Sequence, residues 1–216
     1  MRLQAALAVG SDPAPGLVDA LVERCGVEPD FFVRDMLTWA LTRLPPEATL
    51  PRLRQELRSG SPGARGQALH TLSKIGDGSA WPWITRELLR DADDEVARTA
   101  WRAAVVLVPQ DGRSGLADEL LSQLGRGERE VRLSLSRALI DLGDAAVPAL
   151  ERAAAGPDRA VSAHAHATEL LRRNPAAGFD AAVEEARRLA ALGAERAAAL
   201  ARADTGTGGA AESAGC

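Results

Sequence analysis

The sequence predicts an all-α chain, a superhelix of about five stacked helix pairs closed by a C-terminal capping helix. Three observations lead there. The first is a recurring helix start. Asp30, Ser61, Asp93, Glu128 and Asp158 each stand three residues before a small apolar anchor: Val33, Ala64, Val96, Val131 and Val161, which follow one another at 31, 32, 35 and 30 residues. Such a period belongs to arrays in which each two-helix unit buries its apolar face only against its neighbours. The second is composition. Hydrophobic residues make up 46% of the chain but aromatics only 3%, with no tyrosine. A core of Ala, Leu and Val favours helices, because these small or unbranched side chains lose little freedom there, and alternating strand patterns are missing. The third is punctuation by Pro and Gly at the ends of the periodic stretches.

The elements follow in order. Residues 1–14 hold a short apolar piece and a breaker, Ser11-Asp12-Pro13-Ala14-Pro15. The first pair covers 15–44, with Leu17, Val18, Leu21 and Val22 at helical spacing, then Asp30 to Leu44, stopped by Pro45-Pro46. The second covers 48–75; Ser61 is a good N-cap there and Pro62 occupies the first helical position, where its missing N–H costs nothing. The third covers 79–108, its first helix read from Ser79 to Arg90, and the fourth 113–142. The fifth, 145–173, ends at Asn174-Pro175. A longer helix over 177–203 has no following partner and reads as a cap, so 1–203 is expected to form a single repeat domain. Residues 204–216 are small and Gly-rich, and disorder is expected of them.

Composition also excludes. A net charge of -4 argues against a general nucleic-acid coat, which is basic. Cys25 and Cys216 supply neither a disulfide framework nor metal-ligand spacing. No apolar run approaches the ~18 residues of a membrane span, and the N-terminal stretch is too short and too weakly cationic for a secretion signal. A soluble cytoplasmic protein is expected. Among the basic residues only Lys74 is a lysine, which together with the alanine load reads as a GC-rich coding bias.

Asp30-x-x-Val33-Arg34, Ser61-x-x-Ala64-Arg65 and Glu128-x-x-Val131-Arg132, each followed by apolar residues one and two turns on, resemble the HEAT repeat. The resemblance covers roughly residues 15–175, and the short period is similar to that of bacterial HEAT-like proteins. It implies that the acidic turn residue and the arginine bond along the stack as a ladder. The third copy departs from it, with Ala97 and then Arg98, and so does the fifth, with Ser162. The resemblance implies a binding module for a protein partner more than an activity. It also brings an alternative, since alkylpurine DNA glycosylases are built on similar repeats.

Each anchor helix is expected to bury positions 0, +4, +7 or +8 and +11 from its anchor, leaving +2, +5, +6 and +9 on the opposite face. In HEAT-like arrays that face is concave. It would present Asp35, Thr38, Trp39 and Thr42, then Leu69, His70 and Ser73, then Arg98, Trp101, Arg102 and Val105, then Leu133, Ser136, Arg137 and Ile140, and finally His166. From these, Asp35, Trp39, His70, Arg98, Trp101, Arg102 and Arg137 are the expected partner-binding residues, because exposed Trp and Arg are the types that anchor interfaces. The same Asp, Trp and Arg residues carry the likeness to the glycosylase groove, but their order and spacing do not reproduce that motif. Trp81 and Trp83 are read as packing.

No catalytic residue, metal or cofactor is assigned. His164 and His166, two apart on a helix, point to different sides and do not form a ligand pair. Asp91, Asp93, Asp94 and Glu95 lack the glycine and alternating ligands of a calcium loop, and acidic residues at a helix start favour the helix dipole instead.

Overall fold

The protein is described here by a computed structural model covering residues 1–188 and 191; the C-terminal part of the expected cap and the expected 204–216 tail lie outside the described residues. Helices and short 3-10 turns make up its regular structure, and there is no strand among the described residues. The chain divides into two compact units, Met1–Ala149 and Leu150–Cys216.

In the first unit the pairs are α2 (Val18–Val27) with α3 (Phe31–Thr42), α4 (Pro46–Glu56) with α5 (Pro62–Ile75), α6 (Arg86–Leu89) with α7 (Asp94–Leu107), and α8 (Arg113–Leu121) with α9 (Arg129–Asp141). A further helix, α1 (Arg2–Ser11), packs on α3. Sequence reading left residues 1–14 without a helix. What lets α1 dock is Gly10: a Cβ there would lie 2.1 Å from the Trp39 ring, so only a glycine permits this approach.

The recurring acidic starts are N-caps. The Asp30 carboxylate accepts the Val33 N–H at 3.0 Å, and Asp93 accepts those of Glu95 and Val96 at 2.9 and 3.1 Å. Ser61 does the same more weakly for Ala64, at 3.4 Å. Each satisfies donors that the first helical turn leaves unpaired. Glu128, one methylene longer, makes no such cap. At its other end α5 closes on Gly76 in the left-handed region, φ 70°, where a side chain would be strained.

The third pair departs from expectation. Ser79 to Arg90 is not one helix but a 3-10 turn over Gly78–Trp83 followed by the four-residue α6. The backbone leaves helical geometry at Ile84 (ψ 88°) and is extended at Thr85 (ψ 165°), which separates the two pieces.

The anchor helices form the centre of the unit, α5 packing on α7 and α7 on α9. On α7, Val96, Ala97, Thr99, Ala100, Trp101, Ala103, Ala104 and Leu107 are all buried. Its four alanines have no exposed surface, which lets the neighbouring backbones come close. A helix with neighbours on both flanks and a pair mate behind it buries a wider arc than one face. Position +5 is therefore buried in the first four repeats, as Thr38, Leu69, Trp101 and Ser136. What remains outward is the stripe +2, +6 and +9, spaced like successive turns.

Between repeats, Arg65 donates to both carboxylate oxygens of Asp91, at 2.9 and 3.1 Å, and to the Ser59 carbonyl at 2.8 Å. This is the expected ladder contact. Arg34 instead donates to the Glu28 and Pro29 carbonyls of the turn before its own helix. Gln67 Nε2 donates to Thr38 Oγ1 at 2.8 Å and ties α5 to α3.

The second unit holds the later part of α10 (Val147–Ala154), then α11 (Arg159–Arg173) and a helix over residues 179–188. Asp158 caps α11 through the Ala160 and Val161 N–H groups at 2.8 and 3.1 Å. His164 is buried and meets Phe179 edge-on at 6.1 Å between ring centroids.

A candidate interaction groove on the first unit

Residues of α3, α5 and α7, with the end of α2, enclose a groove of about 570 Å³. Its middle helix makes the space: Gly63 and Gly66 of α5 face it, and a Cβ on Gly66 would meet nothing within 4 Å. Arg34 and Asp35 of α3 form one wall, and Glu95, Thr99 and Arg102 of α7 the other. His70 stands on α5 between them, and Phe31 lies at the start of α3.

The charges in this groove are not equally available. Glu28 is buried and accepts from Arg24 and from the Asp30 N–H. Burial alone would raise its carboxyl, but those hydrogen bonds and the charges of Arg2 and Arg24 hold it below the usual range. Asp93 caps α7, and Glu95 pairs with Arg98 at 2.5 Å. Arg34 is committed to backbone carbonyls. By contrast, neither Asp35 nor Arg102 has a salt-bridge partner among the described residues; Arg102 donates only to Thr99 Oγ1, at 3.0 Å. Burial lowers the Arg102 pKa, and the nearby Arg98 charge adds to this.

His70 is held below its ordinary value, first by burial and then by the charges of Lys74 and Arg102 and, less, Arg34; Asp35 pulls the other way. Cys25 lines the base of the groove, only 3% exposed, and burial pushes its thiol up to about 12 against the opposing pull of Thr38 and Arg34. It is an inert thiol, since the thiolate is the reactive form.

Of the seven residues expected at the contact surface, the groove gathers three, Asp35, His70 and Arg102. Trp101 is corrected outright. It is fully buried, and its indole N–H donates to the Leu89 carbonyl at 2.8 Å, pinning α6 to α7. Position +5 belongs to the core for the reason given above. Trp39 is 37% exposed but lies against Gly10 of α1 outside the groove. Arg98 is half-buried beside Glu95, and Arg137 is exposed on α9, away from the groove.

Sequence reasoning missed Phe31 and Phe32. They are 65% and 70% exposed, with rings 5.7 Å apart and nearly perpendicular. A signal existed. The two positions before the anchor hold Pro62-Gly63, Asp94-Glu95, Arg129-Glu130 and Arg159-Ala160 in the other copies, and only the first copy places aromatics there.

Among the described residues no cluster of His, Cys, Asp and Glu is placed to hold a metal ion. No helix among them is long and apolar enough to cross a membrane.

A family match agrees with this architecture. The family model for HEAT repeats matches residues 18–106, the stretch from the start of α2 to the end of α7 that contains the groove. No curated protein matches the chain. Among solved structures, the crystal structure of an engineered protein aligns with a TM-score of 0.44 at 21% identity, covering 81% of this chain and 87% of that one. The helix pairs and capped anchor helices of residues 18–106 are thus similar to HEAT repeats, the family whose model matches that stretch.

Proposed function

We propose that the protein is a non-catalytic interaction module whose α3–α5–α7 groove takes a segment of a protein partner. HEAT repeats generally serve as interaction scaffolds, which supports the class. The observation that carries the site is the pairing, in one groove, of two uncommitted opposite charges, Arg102 and Asp35, with an exposed Phe31 at its edge. A partner segment would place an acidic residue at Arg102, a basic or amide residue at Asp35 and an apolar residue against Phe31. Interfaces draw their energy from a few such aromatic and arginine anchors.

A nucleic-acid partner is disfavoured by the net charge of -4, where general nucleic-acid binders are basic. The burial of Trp101 also removes one residue on which the likeness to alkylpurine glycosylases rested. The reading includes a bacterial cytoplasmic setting.

Gly66→Leu tests the groove without harming the fold, because the new side chain enters open space and the helix gains roughly 1 kcal/mol in propensity. Affinity capture with wild type, Gly66→Leu and Arg102→Glu should enrich one protein with the wild type and lose it with both variants, with neither variant melting below the wild type. Capture retained by both variants would refute the groove. Duplex DNA binding with a steep salt dependence, abolished by Arg102→Glu, would replace the protein partner with a nucleic-acid one.

A further inference from the structure

A second concavity, of about 360 Å³, lies between the end of α4, the 3-10 turn and α6, and shares no lining residue with the groove. Its apolar surface comes from Leu57, Pro82, Trp83 and Leu88. Its polar surface is dominated by three arginines, Arg54, Arg58 and Arg65. Arg65 is fixed by Asp91 and the Ser59 carbonyl. Arg54 and Arg58 are different, for neither has an acidic partner among the described residues.

That contrasts with the arginines around them. Arg52 pairs with Asp19 and Glu56, and Arg86 and Arg90 share Glu119. The end of α4 attracts cations through its dipole, which accounts for some positive charge there. It does not account for the Arg54 guanidinium lying over the Trp83 ring, 5.3 Å from its centre, nor for the concavity beside it. Stacking on the ring restricts the guanidinium's motion and leaves its N–H edge free to bind.

We propose that this pocket is a receptor for a monoanionic carboxylate carried on an apolar body. The apolar body would rest on Trp83, Pro82 and Leu88, and the carboxylate would be gripped by Arg54 and Arg58. Arginine forks match a carboxylate in two parallel hydrogen bonds. The charge of the ligand follows from the walls. Three arginines stand against two carboxylates, Glu87 and Asp91, which leaves one positive charge to neutralise. Glu87 stays ionised, because hydrogen bonds from the Thr85 hydroxyl and its own N–H hold its carboxyl low. A dianionic phosphate would overshoot that charge and be repelled by Glu87 and Asp91. The mixture of an apolar floor with a few convergent polar groups is that of a small-molecule site.

The test follows the Trp83 indole N–H resonance in the 15N-labelled full chain, identified by its loss in Trp83→Phe, during titration with 3-phenylpropionate. A saturable shift with a Kd on the order of a few millimolar or tighter is expected for a ligand of this size. Arg58→Gln, which leaves the Arg54–Trp83 stack in place, should weaken it about tenfold through loss of a charge-assisted hydrogen bond. The neutral 3-phenylpropionamide should bind about tenfold more weakly than the acid, as the price of losing the same contact. No saturable shift, equal binding of acid and amide, or an unchanged Kd in Arg58→Gln would each overturn the site. Tighter binding of 3-phenylpropyl phosphate than of the carboxylate would overturn the assignment of a monoanion.

Discussion

Replacing Trp101 with alanine separates a core residue from a contact residue. The side chain is fully buried and its N–H is satisfied by the Leu89 carbonyl at 2.8 Å. Tryptophan buries about 150–250 Å², worth about 4–6 kcal/mol at ~25 cal/mol per Å² as an upper bound. Measured truncations of buried Trp and Phe cost about 3–5 kcal/mol, the cavity included. The Leu89 carbonyl, left without its donor, adds about 1 kcal/mol. Trp101→Ala should therefore lose about 4–6 kcal/mol. Trp101→Phe keeps most of the apolar surface but not the donor and should lose about 1–3 kcal/mol. Urea unfolding followed by far-UV circular dichroism measures both. A Trp101→Ala protein within ~0.5 kcal/mol of wild type, the range of ordinary surface substitutions, would refute the core assignment. So would loss of partner capture in a variant of undiminished stability, which is the behaviour of a contact residue.

Three further outcomes are expected. Gly10→Ala forces a Cβ to within 2.1 Å of the Trp39 ring, so α1 should loosen at a cost of about 1–3 kcal/mol, seen as faster amide exchange over residues 2–11; unchanged exchange would contradict the packing. His70 has a folded pKa below its ordinary 6.5, so the unfolded chain takes up its proton first and stability falls as pH drops below about 6.5; His70→Gln should flatten that part of the urea-midpoint profile, and an unaltered profile would dissociate it from His70. Arg65→Ala and Asp91→Ala, singly and together, should give a coupling energy of about 1–2 kcal/mol, between the exposed and fully buried limits for an ion pair whose side chains are 17% and 12% exposed; a coupling near zero would mean the ladder contact does not hold the second and third repeats together.

The repeat was legible because each anchor helix begins with a cap and ends with a breaker, and both are local chemistry. Asp30, Asp93 and Asp158 bond the N–H groups that their position in the sequence implies. The stripe of outward positions was only partly legible. Periodicity assigns one buried face to a helix, whereas α7 lies between α5 and α9 and buries position +5 as well. That single offset moved Trp101 from a contact surface to the core, and it leaves Asp35, His70 and Arg102 in place because they stand at +2 and +6. The groove itself was not legible. It depends on what Gly63 and Gly66 lack, and on Phe31 standing where the other copies are polar or small, which only an alignment of the repeats against each other brings out.

The same geometry separates the residues that fold the protein from those available to bind. Along α7 the buried arc of Ala and Trp fixes the spacing to α5 and α9, and Arg102 sits on the outward stripe with a single hydrogen bond, to Thr99. Across the groove, Asp35 is exposed and makes no ion pair among the described residues. A salt bridge formed at such exposed positions would have added only about 0–1 kcal/mol to stability. Leaving Arg102 and Asp35 unpaired therefore costs the fold little. It keeps two opposite charges free for a partner segment, which can exclude water as it docks and so strengthen both contacts beyond their value in open solvent.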